Sequence, residues 1–388
     1  MTRHDPSLLL SAARSFDAEL RERAQEIEDA RRLPADIAQK LASAGLFRLV
    51  TPAAYDGLEC TPRQIVEAVE IIAEANASAG WCVMIGATTA MNAAYLDPEY
   101  ANEIYSHPDV ITGGVFAPMG KAVADGDDYI VTGRWEWGSG SANCTWLCGG
   151  AMIFEDGELK TLPSGRPDAR MMIFPADDAE LIDTWHTMGL KGTGSGDIEV
   201  KALRVPKARS VSLVTDTPKV DGALYKFPAF GLLSLGVAAT ALGNAKGALQ
   251  AFTDLAVAKK SQGSRKTLSE RTNIQAAMAS LTARFRAARA YLFDEIDQTW
   301  DVAETESEIP VERRAALRMA CTHVVRTSAD ICREMYDLGG GAALFSDNDL
   351  QRRFRDAHAM TQHIVTAPST WELTGRLLFG LPTDASMV

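Results

Sequence analysis

"RWEWGSGSANCTW", residues 134–146, sets three tryptophans, two glycines and two serines within thirteen positions. Two readings compete. Large aromatic side chains usually fill cores, so the stretch can be a strand and turn whose tryptophans are packing residues. It can also be a docking place for a planar heterocycle, with Trp135 and Trp137 as walls, glycines admitting the ring and Ser139 as a hydrogen-bonding tip. Strand alternation puts positions 135 and 137 on one face.

The surroundings place this stretch in a β-rich middle third. "DVITGGVF", "DYIVTGRWEW", "CTWLCGGAMIF", "RMMIFPA" and "DIEVKALRV" are short β-rich runs separated by Gly, Asp and Pro, and they predict a β unit over residues 108–215. Upstream, residues 1–107 read as helical. "SAARSFDAELRERAQEIEDARRL" carries charges at i, i+4 spacing, and the helix beginning "TPRQIVEAV" opens on a Thr-Pro start signal. Downstream, residues 216–388 are alanine-rich and helical, with room for four long helices. The fold class is α+β, mostly α, in the order helical unit, β unit, helical bundle.

Composition narrows the function classes. The 388 residues are 46% hydrophobic and 23% charged, which describes an ordered chain of two or three packed units. A net charge of −12 without a basic block argues against nucleic acid as a partner. Cys60, Cys82, Cys144, Cys148, Cys321 and Cys332 are scattered, and no secretory leader is visible, so reduced thiols in the cytoplasm are expected. "SLLLSAA" is too short for a signal core, and no apolar run is expected to reach the roughly 20 residues that span a bilayer. Cys144 and Cys148 have the spacing of a metal pair, but nothing nearby supplies two further ligands, and no metal is expected.

"GLKGTGSGD", residues 189–197, resembles a phosphate loop only superficially. Nucleotide fingerprints follow a strand and open a helix, and a P-loop also needs a Lys-Ser/Thr pair. Here an alternating, strand-like run follows. The stretch reads as a tight loop between strands whose backbone can approach a ligand closely.

Taken in order, "FAPMG" (116–120), "WEWGSG" (135–140), "GLKGTGS" (189–195), "RFRDAH" (353–358) with His363 beyond it, and "FGLP…MV" at the C-terminus resemble the acyl-CoA dehydrogenase fold over essentially the whole chain. That resemblance implies a barrel-like β domain and a C-terminal four-helix bundle. Within the superfamily the motifs are similar to those of two-component flavin-dependent monooxygenases, such as secosteroid phenol hydroxylases and hydroxyphenylacetate hydroxylases. By resemblance, Gly114, Val115, Phe116, Ala117 and Pro118 run along the isoalloxazine ring. Trp137, Gly138 and Ser139 flank it, with the Ser139 hydroxyl reaching flavin N5. Trp81, Gly341 and Ala342 match further flavin-contacting positions, and Arg271 matches a contact made across a subunit interface. His363 matches an active-site histidine that touches the flavin site and serves as base or as substrate hydrogen-bond donor. The resemblance also implies a homotetramer.

Chemistry separates the branches. An acyl-CoA dehydrogenase needs a carboxylate base over the flavin. Ile364 occupies one known position of that base, and no Asp or Glu occurs from Ala223 to Thr253, where the other lies. An oxygenase instead uses reduced flavin and O₂, forms a C4a-hydroperoxyflavin and protects it from water while an electron-rich substrate attacks. The expected cofactor is FMNH₂, ahead of FADH₂, delivered by a separate flavin reductase because this chain carries no NAD(P)H fingerprint. The expected substrate is an aromatic or polycyclic small molecule.

Two alternatives stay open: a dehydrogenase with a displaced base, and a catalytically inactive ligand-binding member of the fold. Thr89 stands where the phenol hydroxylases carry a further histidine. It can hydrogen-bond a substrate but cannot act as a base near neutrality. A more acidic phenol, oxidation at nitrogen or sulfur, and lost activity all remain open, so the substrate is not carried over. His358, five residues before His363, would sit about 140° away on a helix and reads as structural. His186 is unassigned.

Overall fold

The structure is a computed structural model that describes residues 6–260, 263, 265–385 and 388. Met387, in the C-terminal motif, lies outside them. Seven helices come first among the described residues: α1 (Pro6–Ser15), α2 (Asp17–Glu22), α3 (Ala24–Ala30), α4 (Ala35–Ser43), α5 (Pro62–Ala75), α6 (Ala77–Thr89) and α7 (Pro98–Tyr105). The Thr-Pro signal starts α5 through a capping box: Gln64 N–H donates to the Thr61 hydroxyl, and the Gln64 side chain accepts the Thr61 N–H at 2.9 Å. The Asn76 side chain starts α6 by accepting the Ala79 N–H at 3.1 Å. Only Ile85 and Thr89 of α6 escape full burial.

The middle unit is one eight-stranded sheet: β1 (Thr112–Asp125), β2 (Asp128–Trp135), β3 (Trp146–Glu155), β4 (Glu158–Leu159), β5 (Ala169–Pro175), β6 (Glu180–Ile182), β7 (Asp197–Pro206) and β8 (Ser210–Val211). Its order is β6-β7-β2-β1-β3-β5-β8, with β4 paired to β3. All ladders are antiparallel except β1 with β3. All five predicted runs are strands. "GLKGTGSGD" is a loop carrying one 3₁₀ turn, Lys191–Thr193, ahead of β7.

The last unit contains α8 (Ala223–Lys226), α9 (Ala229–Ala258), α10 (Thr272–Thr305), α11 (Val311–Gly339), α12 (Asp349–Met360) and α13 (Ser369–Leu378). Among the described residues, only three of the expected four long helices are continuous. The fourth limb breaks over residues 361–368 into α12 and α13, and Pro368, which cannot sit in a helix interior, stands at the start of α13. Contrary to the expectation that no run reaches membrane-spanning composition, α9 does reach it. Within its apolar stretch 83% of the residues are buried, as expected of a central bundle helix.

Among the described residues, two cores hold the molecule. One is continuous through the first helices, α9 to α12 and the inner face of β3 and β5, so the two helical units share a single interior. Gly243 of α9 makes this possible, because a Cβ there would lie 2.7 Å from the Glu74 nitrogen of α5. The second core lies within the sheet, around Trp135.

Candidate active site

The opening tryptophans part company. Trp135 is fully buried, its Nε1–H donates to Gly150 O at 2.7 Å, and its ring lies against Phe174. It is a core residue and walls no site. Trp137 is 62% exposed with φ +67°, a left-handed backbone uncommon for a bulky residue. The expectation that both share one strand face fails because β2 ends at Trp135 and the chain turns at Trp137.

Beyond that turn the "WGSG" and "GTGSG" segments lie backbone to backbone. Gly138 N–H donates to Gly196 O and Gly140 N–H to Thr193 O, each at 2.8 Å. This brings Ser139 and Ser195, 56 positions apart in sequence, to an Oγ···Oγ distance of 2.7 Å. From the other side Trp81 of α6 donates its Nε1–H to Ser139 Oγ at 3.0 Å. The same indole meets the His363 ring edge to face, centroids 5.5 Å apart. Trp81, Ser139 and His363, distant in sequence, therefore form one cluster. Thr89 lies two turns beyond Trp81 on α6, and Ile85 between them continues the same side of the helix. That face is the part of α6 left partly open.

His363 is not on a helix, so its expected angular relation to His358 has no basis. It sits in the break after α12 and caps a 3₁₀ turn, its Nδ1 accepting the Val365 N–H at 3.3 Å. Arg318 and Arg326 of α11 pin this break by donating to Val365 O at 2.9 Å and to Thr361 O at 3.0 Å. Burial, reinforced by the Arg318 charge, pulls the His363 pKa down to about 4. His358 points elsewhere and packs edge to face on Phe354. Ile364, at the position where a dehydrogenase can carry its base, is 77% exposed.

Within β1 the segment Phe116–Met119 bulges out of the ladder with β3. The β1–β3 ladder pairs Val115 with Gly149 and next pairs Gly120 with Ala151, so four residues arch over Gly150 alone. A Cβ at Gly150 would lie 2.7 Å from Ala117 O and closer still to Phe116 O. Gly114 has a parallel constraint, since a Cβ there would sit 2.6 Å from the Cys148 sulfur and nearer still to its carbonyl oxygen. Phe116 meets Phe230, at the start of α9, with centroids 4.9 Å apart. Val115 is buried, Ala117 half-buried and Pro118 exposed.

Arg271, Gly341 and Ala342 lie in a separate patch only in the sense that their turns flank the C-terminal end of α9, Arg271 through Leu268 and Lys259. Lys259, at the end of α9, donates to Gly339 O at 2.8 Å, which ties the turn before α10 to the turn after α11. This is the opposite end of α9 from Phe230, and a helix of 30 residues is about 45 Å long. Half-buried Arg271 has no side-chain hydrogen bond or ion pair among the described residues. No hydrogen bond, ion pair or ring contact among the described residues links this patch to Trp81, Ser139 or His363.

Sequence reasoning missed Thr193, Ser195, Gly150 and Asp356. The first two lie in a loop already marked for close backbone approach, which was the available signal. Asp356, in "RFRDAH", accepts the Leu190 N–H at 2.6 Å and holds the start of that loop against α12. Burial pushes its carboxyl up to about 6, against the opposing pull of that N–H.

Comparison with known proteins accords with this geometry. The family described as "Acyl-CoA dehydrogenase, N-terminal domain" matches residues 4–99, and "Acyl-CoA dehydrogenase, C-terminal domain" matches residues 235–368. An indole-3-acetate monooxygenase of Acinetobacter baumannii is 32% identical over 371 residues, covering 94% of this chain and 92% of that protein. The oxygenase component of an FADH₂-dependent resorcinol hydroxylase of Rhizobium sp. is 28% identical, covering 92% and 90%. The crystal structure of the HsaA monooxygenase from Mycobacterium tuberculosis superposes with a TM-score of 0.88 at 28% identity, covering 99% of this chain and 100% of that one. The chain belongs to the acyl-CoA dehydrogenase superfamily, within its branch of flavin-dependent monooxygenases.

Proposed function

We propose that this protein is the oxygenase component of a two-component flavin-dependent monooxygenase, hydroxylating an electron-rich aromatic or polycyclic small molecule. The observation that carries the reading is the Trp81–Ser139–His363 cluster, and the position that by resemblance holds a dehydrogenase's carboxylate is Ile364. The names of the relatives point the same way, since indole-3-acetate and resorcinol are both electron-rich aromatics.

The residues present fit a flavin. Gly114 and the Gly150-dependent arch present backbone at close quarters, Trp137 offers an exposed aromatic face, and Ser139, two residues on, carries a hydroxyl that accepts from Trp81. Gly114 to Pro118, Trp137, Gly138 and Ser139 would hold the ring, with Trp81 and His363 at its substrate side. When bound, reduced flavin supplies the electrons that activate O₂ for transfer to the substrate.

His363 works in this reading as a hydrogen-bond donor. Its Nδ1 is taken by the Val365 N–H, so the neutral ring carries its proton on Nε2, and its lowered pKa keeps it neutral at physiological pH. Thr89, on the open face of α6, orients the substrate oxygen or nitrogen. Because Arg271, Gly341 and Ala342 lie about a helix length from Phe116, they complete a flavin site only from a neighbouring chain, which supports an oligomer; the family resemblance makes it a homotetramer. We assign the protein to the cytoplasm and its reduced flavin to a separate reductase.

The test is to supply photoreduced FMN or FAD with O₂ to the purified protein and screen phenols and indoles by mass spectrometry. Products heavier by one oxygen, absent without protein, support the reading. Reduction of bound oxidised flavin by acyl-CoA thioesters, with no hydroxylated product, would replace it with the dehydrogenase.

A further inference from the structure

Four hydrogen bonds run in series through the loop behind Ser139. Trp81 Nε1–H donates to Ser139 Oγ at 3.0 Å, Ser139 Oγ lies 2.7 Å from Ser195 Oγ, and Ser195 Oγ lies 2.6 Å from Thr193 Oγ1. Thr193 Oγ1 ends the series at Leu190 O, 2.8 Å away. All four side chains are buried, with Thr193 only 1% exposed.

The chemistry of the two ends sets the direction. An indole N–H can only donate and a carbonyl oxygen can only accept, while each hydroxyl has one proton. Thr193 places its proton on Leu190 O, so the proton between Thr193 and Ser195 comes from Ser195. The proton between Ser195 and Ser139 then comes from Ser139. Leu190 O also receives the Trp185 Nε1–H at 2.9 Å and the Thr193 N–H, so it would not be orphaned by reversal. Reversal would instead leave the Thr193 and Leu190 oxygens facing each other at 2.8 Å with no proton between them, which is repulsive.

We infer that the Ser195–Thr193–Leu190 chain fixes Ser139 as a hydrogen-bond acceptor toward the flavin site, so that this site selects reduced over oxidised flavin. The inference rests on the placement of flavin N5 at Ser139 proposed above. Reduced flavin carries a hydrogen on N5 and meets an acceptor. Oxidised flavin presents a lone pair there and meets another lone pair. Ser195 and Thr193 are positioning residues, because they act only through Ser139. Such selectivity suits an oxygenase that receives its flavin already reduced.

The experiment is anaerobic titration of the full-length protein with FMN, FMNH₂, FAD and FADH₂, combined with spectroelectrochemical measurement of the bound-flavin midpoint potential. Wild type should bind the reduced forms more tightly. T193V and S195A each free Ser139 to donate, so the oxidised-to-reduced Kd ratio should fall about tenfold and the potential by about 30 mV, the equivalent for a two-electron couple. T193S restores the terminal hydroxyl and should restore both values, and thermal melts confirm folding of each variant. S139A should weaken binding of reduced flavin. If S139A does so while T193V and S195A keep the wild-type ratio, the directed chain is refuted and the flavin site stands. If S139A leaves every affinity unchanged, the flavin does not sit at Ser139, and the underlying reading falls with the inference.

Discussion

Gly150→Ala is the sharpest perturbation of the arch, with Gly149→Ala as its control. The two neighbours face opposite sides of β3. A Cβ at Gly150 would stand 2.7 Å from Ala117 O and closer to Phe116 O, whereas one at Gly149 would stand 2.7 Å from Cδ2 of the Trp135 indole and nearer to other ring atoms. Both contacts lie inside van der Waals separation, so something must move by about an ångström, and overpacking of this kind costs roughly 1–3 kcal/mol of stability. In Gly149→Ala the sheet core around Trp135 absorbs the shift. In Gly150→Ala the arch moves, and displacement of a binding surface by about 1 Å costs up to about a hundredfold in function. Urea melts of both variants should show similar losses. Anaerobic titration with reduced flavin should show weakened binding in Gly150→Ala alone. Equal flavin affinity in the two variants would refute the assignment of the arch to the flavin site.

Three further outcomes are expected. The folded pKa of half-buried His363 is lowered to about 4 and that of Asp356 is raised to about 6. His363 therefore loses stability as pH falls from about 6.5 toward 4, and Asp356 loses it as pH rises from about 4 toward 6, each by at most about 3 kcal/mol. Relative to wild type in urea melts, His363→Gln should lose stability as pH rises through that window and Asp356→Asn should gain it; parallel profiles would contradict both shifts. Trp135→Phe removes a buried hydrogen bond and ring volume and should cost about 2–4 kcal/mol, while Trp137→Ala should cost under about 0.5 kcal/mol yet weaken flavin binding, as calorimetry and titration will show. If a neighbouring chain completes each site, mixing Arg271→Ala with Ser139→Ala protein should restore about a quarter of the sites by random pairing, whereas a site built within one chain would recover none.

The order helical unit, sheet, bundle is legible in the sequence because hydrophobic spacing changes from the helical period to alternation near Pro108 and back again after the β runs. Trp137 shows where that logic stops. Alternation holds only while a strand continues, and the left-handed turn at Trp137 leaves no trace in the pattern. His363 is similar, since helical spacing from His358 means nothing once the helix breaks ahead of Pro368. The site residues came from motif resemblance, and the structure supplies the reason for the company they keep: Ser139 and Ser195 meet because two glycine-rich segments lie backbone to backbone across 56 positions. The need for Gly150 is likewise a long-range fact, set by an arch that begins 34 residues earlier in the chain, at Phe116.

The central claim is that oxygen from O₂ enters the substrate at this site. The most direct measurement supplies photoreduced flavin and ¹⁸O₂ to the wild-type protein, with the aromatic that the screen identifies, and reads isotope in the product by mass spectrometry. The account predicts one ¹⁸O atom per product molecule, with the yield falling sharply in Ser139→Ala. Product carrying oxygen from water, or anaerobic reduction of bound flavin by an acyl-CoA thioester, would contradict it.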